Sequence, residues 1–253
     1  MVKTRLTAIV KKPRKQKPKN YKLTKVAKDL IAKQIDPKIE NKQLLYHLRP
    51  TSFNNAIAAL GDFNRVLPEF QQGVARDDRV GSQIRLKSIV VRGWITIPSN
   101  DQIGSADRAG ICCRLMCLSS KKTPNWETLQ ADIPNLYLKL LRNGSVENEY
   151  DGTIQNHLMP TNTAVVTKHY DRSFQMNRGQ IIGNAGHQPN ITKPFSFKVA
   201  CKNKVLKFGA PGEVDPANFC PFIVLGFTYT NNAAPSIQTV PLMTYTSTVT
   251  YED

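Results

Sequence analysis

The sequence predicts an all-β fold, in which a β-sandwich of roughly eight strands follows a basic N-terminal arm. Runs rich in β-branched and aromatic residues recur from Gln71 onward, with Gly, Pro and Asn between them. Within this region residues 121–144 have helical spacing and indicate a short helical insertion. A jelly roll and an immunoglobulin-like sandwich both fit, but the Cys…Trp…Cys spacing of the second is absent.

Positive charge is concentrated at the N-terminus. The 253-residue chain has a net charge of +16, and residues 1–28 hold eleven of its bases and no acid. The other 225 residues hold 24 bases and all 19 acids, a net of only +5. Such an arm indicates a nucleic-acid partner or, less often, an anionic membrane. The predicted nucleic-acid-binding residues are Lys3, Arg5, Lys11, Lys12, Arg14, Lys15, Lys17, Lys19, Lys22, Lys25 and Lys28.

The composition of residues 1–20 predicts disorder, because the segment is basic and has few large apolar residues. Tyr21 is the single aromatic residue of the arm, which favours phosphate neutralisation without base readout. Two interpretations of one basic run stay open, a nuclear-import signal and a generic polycation segment. That run consists of Lys11, Lys12, Pro13, Arg14 and Lys15.

A short basic helix is one interpretation of residues 22–35, and a solvated segment of marginal helicity is the other. Residues 38–70 form a connector, in which Ile57–Leu60 is expected to pair with a sheet edge. The predicted division is an arm, 1–48, and a single folded domain, 49–253, which is long enough to bury one core. No apolar run reaches eighteen residues and no signal-peptide pattern is present, so neither membrane insertion nor secretion is predicted.

The longest predicted strand follows Gly81 and ends at Pro98. Ile84 and Leu86 share one parity, and the later apolar residues share the other. This phase change predicts either a β-bulge near Ser88 or burial of both faces from that point. The later residues are Ile89, Val91, Ile95 and Ile97.

The charged corner before this strand, residues 76–79, is interpreted as an internal ion-pair corner of Arg76, Asp77, Asp78 and Arg79. A divalent cation on the two aspartates is the alternative.

Three cysteines lie close together between Ala109 and Ser119. Cys113, Leu115 and Cys117 share one strand face, and no Cys-x-x-Cys pair occurs. They are therefore interpreted as buried small hydrophobic residues, and no metal site is predicted. The odd total of five cysteines argues against a disulfide framework and for a reducing compartment.

The second half of the chain supplies the remaining strands. The stretch after Thr163 predicts a strand, a turn at residues 170–172 and a short following strand. Two short strands are expected at 195–200 and 204–208. Residues 219–230 are apolar on both faces, which predicts a central strand, and residues 240–251 alternate between threonines and large apolar residues.

Several segments resemble the capsid proteins of small circular single-stranded DNA viruses, the circovirus-like group. The most specific is RVGSQIRLKSI at 79–89, which follows Gln72-Gly73 and precedes Arg92-Gly93. The apolar strand 222–227 and the final Tyr-Glu-Asp at 251–253 also match in order, so the resemblance covers most of residues 65–253. The arm departs from the group, because it is rich in Lys where circovirus arms are rich in Arg.

The resemblance implies a single eight-stranded jelly roll, with the long strand as strand B and the last strand as strand I. It also implies a virion component of about sixty copies or a multiple. In that arrangement the arm contacts a single-stranded DNA genome inside the shell, and assembly in the host nucleus follows recognition of the arm by a host import receptor.

Other classes of function fit less well. His47, His157, His169 and His187 are scattered, and no phosphate-binding, nucleophile-elbow or HExxH motif occurs, so no enzyme activity or cofactor is predicted. His169, near Asp171, is interpreted as a strand-end surface residue. The main alternative is a cellular nucleic-acid-binding protein with a basic tail, and a carbohydrate-binding jelly roll would leave the arm unexplained.

Overall fold

A computed structural model of the chain describes residues 24–26, 30, 41–53, 57, 62–98, 110–177, 190–230 and 240–253. The chain divides into two compact units, Met1–Ile39 and Glu40–Asp253. In the first unit Lys25, Val26 and Leu30 are helical and exposed. The rest of the segment 22–35 lies outside the described residues, apart from Thr24, so the two interpretations of that segment both remain.

Within the described ranges the second unit contains eleven strands and one α-helix. The strands are β1 (Asn41–Ser52), β2 (Asn64–Arg65), β3 (Gln83–Ile97), β4 (Ile111–Ser120), β5 (Leu141–Asn143), β6 (Val146–Asn148), β7 (Val166–Met176), β8 (Ile191–Val199), β9 (Val205–Lys207), β10 (Pro221–Tyr229) and β11 (Leu242–Glu252). The helix is α1 (Trp126–Leu136), and two 3₁₀ turns, Tyr137–Lys139 and Ile154–His157, follow it.

The strands form two antiparallel sheets and one small hairpin. Sheet A has the order β1-β11-β3-β8, with β9 also pairing β3, and sheet B has the order β2-β10-β4-β7. Taken in chain order, the first of the eight main strands pairs with the eighth, the second with the seventh, the third with the sixth and the fourth with the fifth. This is the pairing of one long hairpin rolled into two sheets, a jelly roll. The predicted all-β jelly roll with a short helical insertion is confirmed.

The first strand lies earlier in the chain than expected. β1 crosses the predicted division between residues 48 and 49, and the second compact unit begins at Glu40. Leu44, Tyr46 and Leu48 pack against the core, while the residues between them face outward. The long strand β3 is consequently the third of the eight main strands, so its interpretation as strand B is wrong.

The phase change in β3 is a β-bulge, as predicted. Against β11, Ser88 pairs with Thr250 and Leu86 pairs with Tyr251, which leaves Lys87 as the extra residue. The bulge lets the apolar residues on both sides of it face the same core, because it restores the parity that the sequence breaks. Those residues are Ile84, Leu86, Ile89, Val91, Ile95 and Ile97, all buried.

The cysteines of β4 are core residues, as expected from their shared face. Cys113 and Cys117 are fully buried between the two sheets, with Leu115 between them. Burial raises the pKa of both thiols far above the ordinary value of 9, so they stay neutral. Cys113 and Cys117 therefore act as small apolar side chains, which is how free cysteines usually pack.

The outer face of sheet B is covered by the helical insertion. Asn125 caps α1 by accepting hydrogen bonds from the backbone N–H groups of Glu127 and Thr128. The buried face of α1 packs on outward residues of β4 and β10, so β10 is buried at every position and is a central strand, as predicted. The packed side chains are Met116, Leu118, Leu129, Ile133, Leu136, Phe222 and Val224.

A buried ion pair fixes this insertion to the sheet. The Arg114 guanidinium donates two hydrogen bonds of 2.8 Å to the Asp171 carboxylate, and it also donates to the Asn156 and Met159 carbonyls at 2.5 and 2.7 Å. Burial raises the pKa of Asp171, but hydrogen bonds from Arg114 and Thr161 outweigh this effect and lower it below 3.8. The expected turn at residues 170–172 is wrong, because β7 is continuous there and Asp171 binds a neighbouring strand.

Two further expectations are corrected. Arg79 is only 1% exposed, yet it forms no ion pair with the neighbouring aspartates of the described chain. Its guanidinium instead donates to the carbonyls of Phe70, Gly81 and Glu213 and lies 4.0 Å from the centre of the Phe208 ring. An internal ion-pair corner is therefore wrong, since backbone carbonyls replace the carboxylates.

Ile57 does not extend a sheet edge. Its N–H donates to the Tyr150 carbonyl at 3.0 Å, and its side chain packs in the cluster beneath the insertion. Residues 58–60 of the same expectation lie outside the described residues.

Replacing Gly226 with Ala should destabilise the protein. An added Cβ at Gly226 would overlap the ring of Tyr150, whose hydroxyl lies 2.8 Å from His157 Nε2. We expect the free energy of unfolding, measured by urea denaturation, to fall by about 1–3 kcal/mol. Gly81→Ala is the matched control, because its nearest atoms would be 3.7 Å from the added Cβ. Equal effects of the two substitutions would contradict the prediction.

His157 should make stability depend on pH. Burial and the nearby Arg114 lower its pKa from 6.5 to about 4, so it is neutral in the folded protein and gains a proton in the unfolded chain below pH 6.5. The free energy of unfolding is expected to fall as the pH drops from 6.5 to about 4.

His157→Gln should flatten this fall in urea unfolding measured across that range. His169, whose pKa burial and Lys204 also lower, should leave part of the slope. A stability curve that runs parallel to the wild-type curve would argue against the role of His157.

Candidate nucleic-acid interface

The predicted arm residues can be placed only in part. Lys25 is helical and exposed. The other ten predicted nucleic-acid-binding bases, including all of those in the possible import signal at 11–15, lie outside the described residues. The chain runs from this arm into β1, an edge strand of sheet A.

The outer face of sheet A contrasts with that of sheet B, because most of its outward side chains are exposed or half-exposed. Trp94 on β3 is 56% exposed and Leu45 on β1 is 51% exposed. On β11 four consecutive outward positions, 244, 246, 248 and 250, are half-buried threonines, which alternate with buried residues such as Met243, Tyr245 and Val249. Threonine suits a strand whose outer face stays in water, since it is β-branched and polar. We call this surface the open face.

The open face is strongly basic. Its described side chains include one acid, Glu252, which is only 8% exposed. Glu252 forms ion pairs with Lys87 and, at 3.8 Å, with Arg85. The bases of the open face are Arg49, Arg85, Lys87, Arg92, Lys198 and Lys207. With one partly neutralised acid against six bases, the face attracts polyanions.

Trp94 lies toward the C-terminal end of β3, an inner strand of sheet A, and has small neighbours. Thr244 of β11 and Pro194 of β8 are its cross-strand partners, and Arg92 lies two residues earlier on the same face of β3. The Thr244 hydroxyl donates to the Leu48 carbonyl at 2.8 Å. Both partners are smaller than an indole ring, which therefore stands above the sheet surface.

Gly93 permits this arrangement from the opposite side of the strand. An added Cβ there would overlap the Thr244 carbonyl oxygen, the Phe195 ring and the Tyr245 side chain. The absence of a side chain lets Phe195 and Tyr245 close over the inner surface of β3. Arg92 and Trp94 are consequently held outward by a strand that is tightly packed behind them.

The histidines are not brought together. His47 Nδ1 lies 2.9 Å from the Thr246 hydroxyl on the open face, and His169 Nε2 lies 3.0 Å from the Ser119 hydroxyl. His169 is the bulged residue within β7 and is half-buried, so its interpretation as a strand-end surface residue is wrong. His157 contacts Tyr150 beneath the insertion, and His187 lies outside the described residues.

Neither a metal centre nor a membrane anchor is found among the described residues. Within the described ranges, no group of three or more His, Cys, Asp or Glu side chains is placed to hold a metal ion. In the same part of the chain, no helix has the length and apolar character needed to cross a membrane.

Comparisons with known proteins add little. No protein-family model matches the chain, and no curated protein matches it. Among solved structures, one match is a cryo-EM structure of a semi-empty VLP of the giant freshwater prawn Macrobrachium rosenbergii nodavirus. The two chains are 10% identical, the match covers 85% of this chain and 92% of that chain, and the TM-score is 0.34. Similarity this weak carries no functional argument, so function is inferred from the chain's own strands and side chains.

Sequence reasoning missed the open face. The signal was present in β3, where Arg92 and Trp94 share the parity opposite to the buried residues. No sequence pattern indicated that β8 pairs with β3 and adds Lys198 to this face. The basic character of the face is therefore a product of strand order.

Trp94 should report the positive charge of the open face. In a Trp126→Phe variant, Trp94 is the remaining tryptophan. Relative to free N-acetyltryptophanamide quenched by the same ion, its fluorescence should be quenched more strongly by iodide than by caesium. Neutral acrylamide corrects for exposure, and high salt should reduce the difference because it screens the face. Equal relative quenching by the two ions at low salt, or stronger relative quenching by caesium, would contradict a basic surface around Trp94.

Proposed function

We propose that this protein is a viral capsid protein that self-assembles into an icosahedral shell and packages single-stranded nucleic acid through its basic arm. The observation that carries the proposal is that one chain combines a strongly basic arm with a jelly roll. Residues 1–28 hold eleven bases and no acid, and the jelly roll begins at β1, after twelve intervening residues. A jelly roll of this kind is common in viral shells.

The resemblance to capsid proteins of small circular single-stranded DNA viruses supports a DNA genome. Its most specific segment, residues 79–89, enters β3 through buried Arg79 and includes the bulge at Lys87. Arg79 fixes the loop that leads into β3, and the bulge lies beside the C-terminal end of β11, so the segment has a structural role in the body. On this proposal the protein is a virion component, which gathers in the host nucleus during assembly after an import receptor binds the run at 11–15.

The amount of charge suits genome packaging. A shell of about sixty copies, each with a net charge of +16, would carry on the order of a thousand positive charges. Because most arm bases are lysines, they act as point charges and not as bidentate clamps. Binding by the arm should accordingly depend strongly on salt and little on base sequence.

The body also suits a structural role. The helical insertion closes the outer face of sheet B through an apolar cluster and the Arg114–Asp171 ion pair. Sheet A keeps its open face, and the arm is joined to the edge of that same sheet. The two sides of the sandwich are therefore chemically different, which suits a shell that meets nucleic acid on one surface only.

Removal of the arm should separate assembly from packaging. Negative-stain microscopy of the full-length protein is expected to show uniform closed shells that co-purify with nucleic acid. A variant without residues 1–28 is expected to form shells without it, because the packing surfaces lie in the body. A full-length variant with all eleven arm bases replaced by Gln is the control for arm length and should behave like the deletion.

Monomers of all three proteins across salt and pH would contradict the capsid proposal and favour a cellular nucleic-acid-binding protein with a basic tail. Salt dependence gives a second readout, because each single-strand phosphate contact contributes about 0.7 to the log–log slope. A slope near zero for the intact protein, or base specificity that survives deletion of 1–28, would contradict the role of the arm.

A further inference from the structure

We propose that the open face of sheet A is a second nucleic-acid contact, where a base of a single strand stacks on Trp94 while Arg92 and Lys198 bind its phosphates. The proposal deepens the proposed function. It rests on that function in one respect, because it takes the packaged genome as the ligand. It differs from the role of the arm, which neutralises phosphates but has one aromatic residue, Tyr21.

The exposure of Trp94 needs an explanation. An indole ring that is 56% exposed on an inner strand of sheet A forgoes the stabilisation that burial would supply. Threonine, which occupies the adjacent position in β11, would serve a purely structural outward position. Trp94 instead presents an exposed aromatic side chain between Thr244 and Pro194, which are both smaller than an indole ring.

The charges identify the occupant. Arg92 lies on the same face, one outward position from Trp94, and Lys198 lies on β8 opposite Val90, the next outward position. The three side chains thus follow one line along β3 and β8, within about 15 Å. An aromatic platform beside a row of cations is the arrangement that binds single-stranded nucleic acid. The nearest acid on this face is Glu252, which Lys87 and Arg85 already engage.

A second copy of this chain fits the open face less well. In a two-fold contact the same patch meets itself, so Arg92, Lys198 and Arg49 would face like charges. Like charges across an interface oppose association. A polyanion removes this repulsion, and its bases supply the flat partner that the indole needs.

Stacking also predicts which nucleic acids bind. In a duplex the faces of the bases are already covered by their neighbours, whereas a single strand can offer a base to Trp94. Every base has a flat face, so little sequence preference is expected. The hydroxyls of Thr246 and Ser196, beside Arg92 in the neighbouring strands, add hydrogen-bonding groups without sequence information.

The test uses the fluorescence of the full-length Trp126→Phe variant, below the protein concentration at which light scattering detects association. A thymidine oligonucleotide is expected to quench Trp94, because a stacked base covers the indole. Inorganic polyphosphate with the same number of charges is the matched probe without bases. We expect polyphosphate to bind, which is measured by competition with a labelled oligonucleotide. It should nevertheless leave the emission of Trp94 almost unchanged. A duplex should quench it less than the single strand.

Two substitutions separate stacking from charge. Trp94→Thr, which copies the neighbouring strand, should weaken oligonucleotide binding about five- to a hundred-fold and leave polyphosphate binding unchanged. Arg92→Gln should weaken both ligands and reduce the salt slope by about 0.7. Both positions are exposed, and unchanged melting temperatures show that the fold is retained.

Three outcomes would overturn the proposal. These are equal quenching by polyphosphate and oligonucleotide, unchanged oligonucleotide binding by Trp94→Thr, and an emission shift that follows protein concentration without nucleic acid. The last would identify the open face as an interface between copies. Shells that package nucleic acid without involving Trp94 would leave the proposed function standing, whereas quenching of Trp94 without shells would overturn only the capsid proposal.

Discussion

The fold depends on the pairing of β1 with β11, which joins strands from opposite ends of the folded unit. β11 lies between β1 and β3 and pairs with both, so β1 would have no partner in sheet A without it. A buried ion pair at one end supports this pairing, since Lys42 binds Asp253 at 3.0 Å and donates to the Asp78 carbonyl at 2.6 Å. Asp253 in turn accepts a hydrogen bond from the Val80 N–H at 2.6 Å. Removing the Asp253 carboxylate would leave the buried Lys42 ammonium with the Asp78 carbonyl but without an opposite charge.

This closure also decides which surface stays available. The rolled hairpin places β1 at the edge of sheet A and long connections on sheet B, where the insertion between β4 and β7 folds back. Apolar outward residues such as Met116 and Phe222 require that cover, and Arg114 locks it in place. The threonines of β11 require none. The outward residues of the central strands therefore determine the difference between the two faces.

The sequence was most informative where a strand has a strong alternating pattern of its own. The bulge in β3, the doubly buried β10 and the alternation of β11 followed from local patterns because one or two faces of each are apolar. β1 was missed because adjacent Leu44 and Leu45 and the basic residues around them obscure its alternation. The sequence predicts a turn at Asp171 because its partner Arg114 lies on another strand, and no local pattern indicates that pairing. Arg79 was misassigned because backbone carbonyls, which leave no trace in a sequence, bind its guanidinium.

The same distinction applies to the candidate site. The arm could be proposed as a nucleic-acid contact from charge alone, since eleven bases without an acid need no fold to attract phosphates. The open face required the strand order, which brings Lys198 beside Arg92. Point-charge contacts weaken as salt rises, whereas stacking on an indole depends much less on ionic strength. A chain with both would attract a genome through the arm over long range and hold part of it in place through the sheet.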